Sequence, residues 1–147
     1  MPRFSMQTAL DVRERIEKLK QKEFGEQLQV AQEIKSRIVE SQEQIKQSHV
    51  YTNQLKNNGF TIAQLQFNQQ FCQRMEQQIQ VLEHQLQQQN EIVNRKQQSL
   101  LKATQDRRVL EILKEKEQQR YRKHQDRLDR LEMDEIAQNF SLQRRSR

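Results

Sequence analysis

Tryptophan is absent from the 147 residues, glycine occurs twice, and proline and cysteine once each. So few helix breakers leave room for little but long helix, and the composition falls outside that of an ordinary globular domain. The lone Cys72 closes no internal disulfide and speaks for no oxidising compartment. No segment approaches the ~20 consecutive apolar residues that span a bilayer, and no N-terminal apolar run resembles a secretory signal, so a cytoplasmic chain is expected. Apolar residues make up 33% against 31% charged, which is too little for a compact core and enough only for a thin seam between helices.

Chemistry is thin as well. Gly25 and Gly59 lie too far apart to build a phosphate-cradling loop. His49, His84, His124 and Cys72 show no metal-ligand spacing. Carboxylates are plentiful, but general acid and base work needs a dry concave site that two packed helices do not offer. No enzyme activity, metal, cofactor or small-molecule substrate is expected.

What the chain has in quantity is glutamine. Its 29 residues favour helix and stay soluble without charge, which suits an exposed helical face. Asn57-Asn58-Gly59 is a stop signal, since Gly59 can adopt the left-handed conformation that ends a helix. Thr61 and Gln64 then read as a capping box, with Phe60 placed to staple onto Leu65. The expected fold is all-α: two long helices, over residues 6–56 and 62–140, forming an antiparallel coiled-coil hairpin turned at 57–61, with a basic tail over 141–147, all in one elongated module.

Counting from Cys72 as position a, the second helix keeps one heptad register to Leu131. The a positions run Cys72, Ile79, Leu86, Val93, Leu100, Arg107, Lys114, Tyr121, Leu128; the d positions run Met75, Leu82, Gln89, Lys96, Ala103, Leu110, Glu117, His124, Leu131. An unbroken 3.5-residue repeat implies left-handed supercoiling against a partner helix. The first helix offers Phe24, Leu28, Ala31, Ile38 and Ile45, flanked by Ile34, while Val12, Ile16 and Leu19 run out of phase with them and suggest a stutter near Gly25. At 1.5 Å per residue the expected helices span roughly 75 and 115 Å, so the second must overhang. Reflection through the tip sets Met6 near Glu111 or Ile112 and leaves residues beyond about Lys114 without an intramolecular partner. Tyr121, Leu128, Leu131, Ile136 and Phe140 continue the apolar stripe there, which implies a partner from another chain.

The net charge of +6 is unevenly spread: nine basic and five acidic residues lie between Arg107 and Arg130, but four of each between Thr61 and Asp106. Folding at Gly59 brings the charged terminal stretches together at the open end, away from the neutral tip. Nucleic acid is a competing partner for Lys114, Lys116, Arg120, Arg122, Lys123, Arg127 and Arg130, but Glu115, Glu117, Asp126 and Asp129 interrupt the run and favour a solvated helical face.

Arg3-Phe4-x-Met6-Gln7-x-Ala9-Leu10-Asp11-x-Arg13, Asn58-Gly59 followed by Gln69-Gln70-Phe71, Arg107-Arg108-Val109-Leu110-Glu111-x-Leu113-Lys114-Glu115-Lys116, and Met133-Asp134-Glu135-x-Ala137-Gln138 together resemble the flagellar export protein FliJ family. The resemblance covers nearly the whole chain. It implies a central stalk of the flagellar type III export ATPase, with its open end in the hexameric ATPase ring, its tip region at the membrane export gate protein, and an escort role for export chaperones. Such a protein would sit in the cytoplasm, peripherally on the inner face of the membrane at the flagellar base. Carried over by position, gate contacts fall on Phe71 and Met75; the next two mapped positions, Gln78 and Leu82, depart from the family pattern. Ring contacts fall on Tyr121, Leu128, Leu131, Met133, Asp134 and Glu135. Met75 is a d position and so has a packing role open to it, whereas Phe71 lies beside the seam. The alternatives are the equivalent stalk of a virulence secretion system and a structural or DNA-binding coiled-coil dimer.

Overall fold

The computed structural model describes residues 3–145, which form two helices, α1 over Gln7–Asn58 and α2 over Ile62–Arg145, packed together as a helical hairpin. No strand occurs among the described residues. The helical parts of residues 141–145 belong to α2, so the segment expected as a basic tail continues the helix to Arg145, with 146 and 147 outside the described residues. The chain divides into two packing units, one of Lys18–Leu101 and one of Met1–Glu17 with Lys102–Arg147.

The turn lies in the first unit. Gly59 has φ 91°, the left-handed conformation that ends α1. The capping box forms in both directions: the Thr61 amide donates to Gln64 Oε1 at 3.0 Å, and the Gln64 amide donates to Thr61 Oγ1 at 3.2 Å. Phe60 and Leu65 remain 45% and 37% exposed, so any staple between them leaves much of each side chain in water.

Within that unit the seam of α1 runs Lys20, Phe24, Gln27, Ala31, Ile34, Ile38, Ser41, Ile45, Ser48, Thr52 and Leu55, each buried or half-buried, at alternating steps of four and three. This is a strict heptad, but five of its eleven members are polar. Leu28, expected in the seam, is exposed, and Gln27 takes the inward position instead. Its side-chain oxygen and backbone carbonyl both accept from Gln89 Nε2, at 2.8 and 3.0 Å. Four residues back along α1, Glu23 pairs with Lys96, seven residues on along α2. The heptad passes Gly25 without a skip, from Lys20 and Phe24 to Gln27 and Ala31, so the stutter expected there does not occur and α1 is unbroken. A second polar layer joins Ser48, Thr52, Asn68 and Cys72. Asn68 Nδ2 donates to Thr52 Oγ1 and, at 3.1 Å, to the Ser48 carbonyl; Ser48 Oγ donates to Asn68 Oδ1; the Cys72 thiol donates to Ser48 Oγ at 3.4 Å.

The second unit has its own apolar seam of Phe4, Leu10, Ala103 and Leu110, all buried. Val12 is 46% exposed, and in the first unit Leu19 is 54% exposed, so these two out-of-phase positions of α1 stay outside the seam, whereas Ile16 is half-buried. The seam keeps its phase with Glu17 and Lys20, both half-buried. Several polar residues at or beside this seam meet partners across it. Arg107 Nε lies 2.6 Å from Glu17 Oε2, and Arg13 Nη1 lies 3.3 Å from Asp106 Oδ2. The Ser5 hydroxyl donates to Glu117 Oε2 at 3.2 Å. That contact carries the N-terminal segment further along α2 than simple reflection places it, so the unpartnered stretch begins after Tyr121 rather than near Lys114.

Candidate functional site

The register read from Cys72 predicts which face of α2 is covered. In the Lys18–Leu101 unit every a and d residue from Cys72 to Leu100 is buried or half-buried, and in the other unit the same holds from Ala103 to Tyr121. It then ends abruptly: His124, Leu128 and Leu131 continue the register and are all exposed. The helix itself does not end, for it runs another fourteen residues from Leu131 to Arg145.

This uncovered stretch holds five of the six expected ring-binding residues. Leu128, Leu131 and Met133 are 44%, 56% and 68% exposed, and Asp134 and Glu135 are exposed with them. Tyr121 differs. Half-buried, it is the last a or d position of α2 that is not exposed. Nor do the six share one face. At 3.6 residues per turn, Tyr121, Leu128, Leu131 and Glu135 continue the seam, whereas Met133 falls roughly 140° round the helix, in line with Ile136 and Phe140. Ile136 and Phe140 are themselves 52% and 63% exposed. The end of α2 thus presents two separate apolar faces, a feature the sequence reading merged into one.

Phe71 and Met75, the expected gate-binding residues, are both half-buried. Met75 lies on the seam and Phe71 at its edge, so exposure does not separate them as the register alone suggests. They flank the polar layer around Asn68, and an open groove lined by His49, Thr52, Asn68, Cys72 and Glu76 runs beside it. The same unit exposes Val50, Tyr51, Phe60, Ile62 and Phe67.

Electrostatics concentrates at Arg107. Its guanidinium is held by Glu17 and by Glu111, whose Oε1 lies 2.6 Å from Arg107 Nη1. The hydrogen bond to Glu17 comes first among the causes that raise the Arg107 pKa, and that to Glu111 second. Glu111 is drawn below the ordinary glutamate value, first by the hydrogen bond from Arg108 Nη1 at 3.0 Å and then by Arg107. Arg108 also reaches Glu115 at 3.5 Å. Arg107 stands at an a position, and the acidic Glu17 facing it from the seam of α1 is the signal in the sequence that accounts for a cation there. The polar layer at Asn68 was missed, though Asn68 lies one heptad before Met75. Among the described residues no cluster of three or more His, Cys, Asp or Glu side chains could hold a metal ion, and no helix is long and apolar enough to cross a membrane.

A family model described as the flagellar FliJ protein matches residues 2–146 of the chain. No curated protein and no solved structure matches it.

Proposed function

The chain belongs to the FliJ family and is thus a component of flagellar protein export, and from that premise we propose that it works as one module, the non-enzymatic stalk of the export apparatus. In this reading the unit carrying both terminal segments binds the hexameric export ATPase through the end of α2. Residues near the turn, Phe71 and Met75 among them, meet the membrane export gate, bringing the chain to the inner face of the membrane. The module also escorts export chaperones.

One observation carries the ATPase assignment: the heptad seam of α2 loses its intramolecular cover after Tyr121 while its apolar positions continue through Leu128 and Leu131. Continued apolar spacing on a solvated helix costs solubility with no gain in folding, so a second macromolecule is the natural cover. Mixing the full chain with its cognate export ATPase is expected to raise the hydrolysis rate and promote ring assembly. Unchanged hydrolysis and assembly with both proteins folded would contradict the reading.

The gate assignment has its own test. Phe71→Ala is expected to leave ATPase stimulation unchanged while lowering export and gate binding. Equal loss of both activities would instead assign Phe71 to seam packing.

A further inference from the structure

Five cations of α2, Lys116, Arg120, Lys123, Arg127 and Arg130, recur at steps of four, three, four and three residues. On an α-helix this spacing gathers them on one narrow face, about 20 Å long at 1.5 Å per residue. All five are exposed. Among the described residues none has a carboxylate within ion-pairing distance, whereas Arg107 and Arg108 on the preceding turns are held by Glu17, Glu111 and Glu115.

The stripe borders only one flank of the uncovered line through Tyr121, Leu128 and Leu131. The opposite flank carries Gln118, Arg122, Gln125, Asp129 and Glu132, one cation against two carboxylates. That asymmetry discriminates between occupants. A bilayer surface would meet both flanks of the apolar line, pressing Asp129 and Glu132 against anionic headgroups. A nucleic-acid duplex could neutralise the cations but would leave Leu128 and Leu131 in water. A helix laid along the apolar line meets both features at once, because flanking charges in a coiled coil select the partner and fix its direction.

We propose that Lys116–Arg130 receives an acidic amphipathic helix of a partner protein. Its apolar stripe covers Leu128 and Leu131, and its carboxylates, repeating at three- and four-residue steps along one side, pair with the five cations. The inference rests on the reading that this stretch of α2 takes its cover from another chain, and it specifies that partner's chemistry. Five unpaired cations in a row also speed encounter with an acidic surface.

The test measures binding of the full chain to the cognate export ATPase at about 50 and about 300 mM salt, where screening lengths differ about 2.5-fold. The variant K116Q/R120Q/K123Q/R127Q/R130Q is compared with K35Q/R37Q/K46Q/R74Q/R95Q, which removes the same number of exposed cations elsewhere. The stripe variant is expected to lose about tenfold or more in affinity at low salt, mainly through slower association, and to show a flatter salt dependence. The control is expected to stay close to the parent chain. R120Q/K123Q/R127Q, with a smaller loss in the same direction, serves if the fivefold variant is less helical by circular dichroism.

Equal behaviour of stripe and control variants, with binding still abolished by L128D/L131D, would overturn the acidic-helix proposal and leave the docking reading standing. Binding that also survives L128D/L131D, or no binding by the parent chain, would remove both. Stripe-dependent retention on phosphatidylserine vesicles or on a short DNA duplex, with unchanged ATPase affinity, would assign the cations to that polyanion and overturn the proposal.

Discussion

Gly59 turns the chain at φ 91°, a conformation that side chains bearing a Cβ adopt only with strain, whereas Gly25 sits within α1 with nothing within 4 Å of where a Cβ would be. Gly59→Ala is therefore expected to cost about 1–2 kcal/mol. Gly25→Ala should add about 0.5–1 kcal/mol, the ordinary helix-propensity difference with no steric charge against it. Urea denaturation of the two variants checks the opposite signs; a destabilised Gly25→Ala would mean that the helix needs its glycine. Asn68 is the other residue on which local structure turns. It donates to both Thr52 and the Ser48 carbonyl and accepts from the buried Ser48 hydroxyl, so Asn68→Ala leaves that hydroxyl without its acceptor and should cost about 1–3 kcal/mol. Turn and capping box were legible from sequence because they depend on neighbours in the chain. The Asn68 layer was not, because its partners lie sixteen and twenty residues away and an asparagine at d carries no periodic signal of its own.

At the scale of the element, α2 was read more accurately than α1. Its apolar a and d residues are dense enough to fix the phase, and covered positions follow that phase as far as Tyr121. In α1 the seam includes Glu17, Lys20, Gln27, Ser41 and Ser48, so hydrophobicity picks Leu28, Val12 and Leu19, which point elsewhere. The interhelical contacts that restore the phase are polar: Gln27 with Gln89, Glu23 with Lys96, Glu17 with Arg107. They also make stability sensitive to acid. Because the Glu111 pKa lies below its unfolded value, its contribution is fully present above the ordinary glutamate range and is lost as pH falls through the lowered native value. Arg107 stays protonated throughout, its pKa being raised. The urea midpoint should thus fall as pH drops from neutrality into the glutamate range, and Glu111→Gln should flatten that dependence while lowering the neutral-pH midpoint. An unaltered pH profile in Glu111→Gln would show that its pairs with Arg107 and Arg108 contribute nothing to the folded state.

For the whole molecule, membership of the FliJ family makes the surfaces through which the chain meets other proteins the place to test. How far the α2 seam stays covered was only half legible: reflection through Gly59 foresaw an uncovered end, but polar pairings such as Ser5 with Glu117 shift where it starts. Separation of that end into two apolar faces and a cationic stripe needed the helix to be continuous to Arg145. The central claim is that Leu128 and Leu131 serve a partner and not the fold. Its most direct test is the export ATPase's hydrolysis rate, titrated with the parent chain and with L128D/L131D, alongside thermal melts of each chain alone. Stimulation by the parent, none by the variant, and closely similar helicity and melting for both are expected; a variant that stimulates fully would take the partner role from Leu128 and Leu131, and one that melts as a whole at far lower temperature would return them to the fold.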